Sequence, residues 1–280
     1  MELSTGIIRA MPVTLILLML GSPAAPQTPR LKNIQLCNGA DRTSPTPQIN
    51  GCTALINLGS EKPYILAVAH NNRGNAYAAM GDYSRAIEDY DQSIKLKSDF
   101  AKPFNNRGVA YRKVGDYERA IKDFDSAIKL DSGYALAFAN RAEAYRSMNE
   151  YDRANLDYDE AMRLEPKLNA ILKERCWVRA VLDNFQGALE DCNKALELEP
   201  DNAAAHDSRG LVYLKTGQFD AAIGEFSSAL RVAPNLASAL YGRGLAKLKK
   251  GDSAGGKIDI SAANAIAPKI GDDFARYGVQ

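Results

Sequence analysis

The chain has 280 residues, with 35 Lys and Arg against 34 Asp and Glu, for a formal net charge of +1. That balance excludes the strongly basic surface on which nucleic-acid binding usually depends. Two His and four Cys in no metal-ligand spacing leave no metal or cofactor site, and with no Gly-rich phosphate loop and no Ser–His–acid constellation the chain is expected to bind and not to catalyse.

In chain order, Arg9 is the one basic side chain before an apolar run at Val13–Leu20, and Gly21-Ser22-Pro23-Ala24-Ala25 then supplies small residues for cleavage after Ala24. This predicts a signal peptide over 1–24 and a periplasmic or secreted protein. The alternative is an anchor that stays attached, but the run is shorter than the roughly 20 residues of an ordinary spanning helix, so no stable membrane span is expected after cleavage. Residues 25–46, rich in Pro, Thr, Ser and Asn, read as a linker. Residues 47–66 read as an N-terminal capping helix, because Ile49, Cys52, Ile56 and Leu58 repeat the apolar spacing of Ile121, Phe124, Ile128 and Leu130.

From residue 67 a strict period of 34 sets in. Arg73-Gly74, Arg107-Gly108, Arg141-Ala142, Arg175-Cys176, Arg209-Gly210 and Arg243-Gly244 mark six units: 67–100, 101–134, 135–168, 169–202, 203–236 and 237–270. A fixed period of this size signals stacked supersecondary units. Numbering each unit 1 to 34, the first half is helical (Phe104, Arg107, Gly108, Tyr111). A turn follows at positions 15–16 (Gly81-Asp82, Gly115-Asp116, Gly217-Gln218, Gly251-Asp252). A second helix (Ala120, Ile121, Phe124, Ala127, Ile128) closes at position 32 with Pro166, Pro200, Pro234 or Pro268. Each unit is therefore a helix hairpin.

With small residues at positions 8, 20 and 27, aromatics at 11 and 24 and Pro at 32, residues 67–270 resemble the tetratricopeptide repeat family. Asn-Asn-Arg-Gly at 71–74 and 105–108 is similar to a repeat variant common in bacterial secreted proteins. The resemblance implies an all-α fold: an α-solenoid, a right-handed superhelix of six 34-residue hairpins with partial capping helices. The implied function is a protein-interaction scaffold that takes a peptide or partner helix in a concave groove. The alternative is an accessory protein that positions a substrate for a separate enzyme such as a glycosyltransferase.

Position 7 is Arg in all six units and position 23 is acidic in all six: Asp89, Asp123, Asp157, Asp191, Glu225 and Asp259. In a hairpin that turns near position 15 these lie at one height, which predicts an internal Arg–carboxylate ladder. His70 and His206 stand at position 4, where other units have Phe104, Phe138, Leu172 and Leu240, and so read as packing residues. Cys176 and Cys192 occupy positions 8 and 24 of the fourth unit, and Cys37 and Cys52 flank the N-terminal linker. An even count with an export signal favours two disulfides; a volume-conserving pair of buried thiols is the alternative at 176 and 192. Residues 271–280 read as a short C-terminal cap in which Phe274, Tyr277 and Gly278 begin a seventh unit and Asp272, Asp273 and Arg276 face water.

The resemblance implies that positions 2, 5, 9, 12 and 13 of the first helices line the groove. In the first half these are polar: Asn71, Asn75, Lys102, Asn105, Arg112, Lys113, Glu143 and Arg146. In the second half Trp177, Ala180, Val181, Leu211, Leu214, Tyr241, Leu245 and Leu248 form an apolar stripe, rimmed by Lys173, Lys215 and Lys249. Such residues either pack between units or, as an exposed apolar stripe with a polar rim, take a partner; the latter is the expected ligand site. The basic clamp with which chaperone-binding members grip a terminal carboxylate is missing. The first three units match it only at Asn75 and Asn106, and units four to six only at Lys173.

Overall fold

Every thirty-fourth residue from 81 to 251 has a left-handed backbone: Gly81 (φ 79°), Gly115 (85°), Asn149 (61°), Asp183 (61°), Gly217 (75°) and Gly251 (90°). Glycine adopts this conformation without steric cost, and Asn and Asp adopt it more readily than other side chains. The residue after it starts the next helix where it can cap one. Oδ1 of Asp82 accepts from the Arg85 amide at 3.1 Å, that of Asp116 from Arg119 at 3.0 Å and that of Asp252 from Gly255 at 2.8 Å. Only four of the six turns carry glycine, which is why Asn149 and Asp183 are not legible as turn signals.

The computed structural model describes residues 28–40 and 44–279; the expected signal peptide at 1–24 lies outside them. The described residues are all-α, with no strand, and the chain divides into two compact units, Met1–Met148 and Asn149–Gln280. The first holds α1 (Pro29–Cys37), α2 (Pro45–Asn57), α3 (Pro63–Ala79), α4 (Tyr83–Leu96), α5 (Ala101–Lys113), α6 (Tyr117–Leu130) and α7 (Ala135–Ser147). The second holds α8 (Tyr151–Leu164), a single 3₁₀ turn at Asn169–Ile171, α9 (Leu172–Val181), α10 (Phe185–Leu198), α11 (Ala203–Lys215), α12 (Phe219–Val232), α13 (Ala237–Lys249), α14 (Ser253–Ile266) and α15 (Ile270–Arg276). Within each unit consecutive helices pack as antiparallel neighbours, and first helices also touch the next first helix, as α3 does α5 and α11 does α13. This is the stacking of an α-solenoid. No helix of the described residues is long and apolar enough to cross a membrane.

Two expectations at the N-terminus change. The segment 25–46, read as linker, contains α1: Thr28 caps it, Pro29 opens it, and Ile34 and Cys37 are buried against α2. Its polar composition hid a helix held by tertiary packing and not by propensity. The cap expected over 47–66 is shorter, because α2 ends at Asn57 and Pro63 already starts α3.

Positions 8 and 24 face each other inside the hairpins. A Cβ on Gly74, Gly108 or Gly210 would stand 2.7 Å from the ring of Tyr90, Phe124 or Phe226 respectively. Cys176 and Cys192 replace that Gly–aromatic pair, with Cα atoms 5.5 Å apart and sulfurs at 1.97 Å. Cys37 and Cys52 join α1 to α2 at the same kind of distance, 4.5 Å between Cα atoms and 2.09 Å between sulfurs.

The ladder forms, and it does more than the sequence suggested. Arg73 grips Asp89 with two hydrogen bonds of 2.8 Å, and Arg107–Asp123, Arg175–Asp191 and Arg243–Asp259 repeat the fork at 2.6–2.8 Å. The third guanidinium nitrogen reaches back to position 25 of the preceding repeat: Arg107 to Asp91, Arg141 to Asp125 at 2.6 Å, Arg175 to Asp159 at 3.1 Å and Arg209 to Asn193 at 2.8 Å. Arg107, Arg175 and Arg209 thus close their own hairpins and tie them to the one before. The histidines are also more than packing. Nδ1 of His70 lies 2.8 Å from Asp89, and Nδ1 of His206 lies 2.8 Å from Glu225. Burial pushes the Asp89 carboxyl up, but the hydrogen bonds from Arg73 and His70 outweigh it and hold the group below its ordinary value. Asp123 has Phe104 where Asp89 has His70; burial there outweighs Arg107 and leaves the carboxyl above its ordinary value.

Candidate functional site

The first helices of the two units carry different chemistry. In the N-terminal unit the asparagines expected to be open to the groove are bonded to one another, with Asn71 and Asn105 buried and Asn75 partly buried. Asn140 donates to Asn105 (2.9 Å), Asn105 to Asn106 (3.3 Å), Asn106 to Asn71 (2.9 Å) and Asn75 (3.0 Å), Asn71 to Asn72 (3.2 Å), and Asn72 to the Cys37 carbonyl (3.2 Å). This rail of amides runs from α7 through α5 and α3 to α1. Its members bond to one another, leaving only Asn75 Nδ2 and Asn140 Oδ1 without a partner, so they act first as a specific joint between helices.

In the C-terminal unit the apolar stripe converges on one cluster. Val181, Leu211 and Leu214 are buried in it, and Trp177, Tyr241 and Leu245 are partly buried against it. What covers them is α15. Ile270 and Phe274 belong to the same cluster, with Tyr277 and Val279 packed on it. Trp177 lies edge-to-face with Tyr277 (centroids 5.1 Å apart, planes at 88°) and with Tyr151 (5.4 Å, 76°), while Tyr241 meets Phe274 at 4.9 Å. Gly271 lets α15 come close, since a Cβ there would stand 3.0 Å from the Tyr241 hydroxyl. The expected cap therefore packs on α13 and α14 and also reaches back to α9. Asp272 and Arg276 do face solvent.

Three residues expected at the site stand elsewhere. Lys215 is not a rim charge: its side chain is 6% exposed, and Nζ donates to the carbonyls of Ala180 and Val181 at 3.1 and 3.0 Å and pairs with Asp183 at 2.6 Å. It satisfies the C-terminal carbonyls of α9, a role that helix spacing alone does not show. Leu248 points between α13 and α14, where a Cβ on Gly256 would lie 2.7 Å from its Cγ. Lys249 is exposed near the turn that leads to α14. Lys173 remains half-buried on α9, with Nζ 3.9 Å from Glu174.

The sequence missed Tyr151 as a wall of the aromatic cluster, and it missed Asp207. Asp207 stands at position 5 of α11 and accepts a 2.6 Å hydrogen bond from Ser238 of α13, while its other oxygen is buried without a partner. Burial pushes this carboxyl up to about 6. Among the described residues no group of His, Cys, Asp and Glu could hold a metal ion.

Comparison with known proteins agrees with this architecture. Models described as "TPR repeat" match residues 74–115 and 210–251, and models described as "Tetratricopeptide repeat" match 101–134, 135–168 and 192–224. Among curated proteins, no sequence matches. The chain is similar to the solved structure of YrrB, described as a TPR protein with an unusual peptide-binding site, at 23% identity over 68% of this chain and 96% of that one (TM-score 0.53). It is similar to a tetratricopeptide repeat protein from Parabacteroides merdae at 15% identity over 88% and 99% (TM-score 0.62). The Cut9-Hcn1 hetero-tetramer of APC/C matches at 19% identity over 90% of this chain but only 49% of that one (TM-score 0.68).

Proposed function

The chain belongs to the tetratricopeptide repeat family, and from that premise we propose that it is a non-catalytic interaction scaffold of an exported compartment. It binds a peptide or partner helix on the first helices of its C-terminal unit, centred on Trp177. One observation carries this reading. The apolar faces of α9, α11 and α13 form a surface that a short amphipathic helix fits, because α15 packs there with Ile270, Phe274 and Tyr277. Peptide binding by the YrrB relative agrees with that use of the fold. Both cysteine pairs lie at bonding distance, which supports a working place in an oxidising compartment, periplasmic or secreted.

The test compares capture of partners from the native compartment by the wild-type chain, Trp177→Ala and Asn105→Ala, each with helix content checked by circular dichroism. A central aromatic anchor is often worth about 2 kcal/mol or more of binding, so Trp177→Ala should abolish capture of a partner that Asn105→Ala still retains. Capture that survives Trp177→Ala and fails with Asn105→Ala would move the site to the N-terminal unit.

A further inference from the structure

The two ends of the array are closed in different ways. At the N-terminus α1 is fastened to α2 by Cys37 and Cys52, and Asn72 of α3 donates to the Cys37 carbonyl. At the C-terminus α15 has seven residues and no cysteine, and Ile270 and Phe274 of the helix, with Tyr277 just after it, lie on the array. Its charged pair, Arg276 with Asp273, lies within the helix itself. A helix of under two turns does not persist alone in water, so α15 is ordered by docking. Ordering seven residues offsets much of what burying three side chains returns. The segment between α14 and α15 is only Ala267-Pro268-Lys269, so an α15 that has let go stays beside its site.

We propose that α15 is a resident, exchangeable occupant of the partner groove, and that partners dock by replacing it with a helical segment of the same pattern. That pattern is an apolar residue, an aromatic four positions on, and a second aromatic three positions after that, as in Ile270, Phe274 and Tyr277. The second aromatic meets Trp177 edge-to-face and the first meets Tyr241, the contacts Tyr277 and Phe274 make here at 5.1 and 4.9 Å. Binding is then set by competition: a segment lacking either ring loses to the tethered helix. This inference rests on the reading of the groove as the partner site and adds its regulation and the partner's chemistry.

The test uses the full chain and its sole tryptophan, Trp177. The probe is a synthetic peptide with the sequence of residues 268–280, and the control is the same peptide with the Tyr277 position changed to Ala. In the chain carrying Phe274→Ala and Tyr277→Ala the resident helix is weakened. The probe should shift Trp177 emission there at a concentration at least tenfold lower than in the wild-type chain, and the control should not. Equal response of both chains, or response of neither, overturns the proposal. Should the double variant lose its helical signal, hydrogen exchange on the wild-type chain decides. Amides of α15 should exchange at least tenfold faster than those of α13, by an opening that denaturant does not accelerate; exchange of α15 only with global unfolding overturns it. The two readings fail separately. If Trp177→Ala abolishes partner capture while these tests fail, α15 is a fixed cap and the groove stands. If capture survives Trp177→Ala, the groove itself is wrong.

Discussion

Trp177 of α9 and Tyr277, the residue that follows α15, meet edge-to-face with ring centroids 5.1 Å apart. Aromatic pairs in this geometry contribute about 0.5–1.5 kcal/mol beyond the area they bury. Tyr277→Ala should therefore destabilise the docked α15 by about 1–2 kcal/mol and move Trp177 emission to the red. Far-ultraviolet circular dichroism should barely change, because α15 is seven residues long. A large loss of helical signal would mean that α15 supports the whole unit.

Cys176 and Cys192 are 16 residues apart in sequence and stand where other repeats place Gly and an aromatic. A cross-link closing a loop of this size should add about 3 kcal/mol. Thiol counting on the denatured, non-reduced protein should find none of the four cysteines free, and reduction should lower the midpoint of unfolding of the C-terminal unit. Alkylation of Cys176 and Cys192 without a reductant would identify them as buried thiols.

Gly108 is needed for the approach of α5 to Phe124, since its missing Cβ would stand 2.7 Å from the ring. Gly108→Ala should cost about 1–3 kcal/mol through overpacking, despite the better helix propensity of Ala. Adding Phe124→Leu should recover part of that loss. Equilibrium denaturation of Gly108→Ala, Phe124→Leu and the double variant measures the coupling; strictly additive effects would rule out a direct clash.

Asp207 gives the chain a pH dependence opposite in sign to that of Asp89. Its folded value is raised to about 6, so the folded state holds the proton more tightly than the unfolded chain does. Stability is then lost as pH rises from about 4 to about 6. Asp207→Asn keeps the acceptor for Ser238 and cannot ionise. It should stabilise the protein by about 1–3 kcal/mol at pH 7.5 and by little at pH 4. Asp89 runs the other way: its lowered value stabilises the fold above the unfolded carboxylate range, and that contribution is lost as pH falls through the folded value. Denaturation curves at pH 4 and 7.5 for wild type and Asp207→Asn separate the two effects.

The period, the helix pairs and the Arg–carboxylate partners were legible because each depends on residues at fixed distance in sequence, as Arg107 and Asp123 do. The contacts of position 25 were not read, although Asp91, Asp125 and Asp159 were visible, because they need the stacking of one hairpin on the next. At the groove, helical spacing placed Trp177, Leu211 and Tyr241 on one side, and they do share one cluster. It could not show what lies over them. Nor could it show that Lys215 turns in to the carbonyls of Ala180 and Val181, since both facts depend on residues far apart in the sequence. The buried asparagine rail misled for a related reason. Polar side chains look exposed until a neighbour such as Asn106 supplies the partner for Asn71.

The double grip of the position-7 arginine bears on how such a chain can lengthen. Arg107, Arg175 and Arg209 each take one acceptor from their own repeat and one from the repeat before, as Arg107 does with Asp123 and Asp91. A tandem duplication of residues 101–134 would bring a new Arg107, a new Asp123 and a new Asp125 together. The copied arginine finds its second acceptor on the original Asp125, and Arg141 finds its own on the copy. Neither junction leaves a guanidinium or a carboxylate stranded. An insertion that is not a whole number of repeats would separate the donor from its acceptor at the joint where it falls, since each pair spans 16 residues of sequence. Whole modules can therefore enter or leave the array without electrostatic debt, whereas fractional ones cannot.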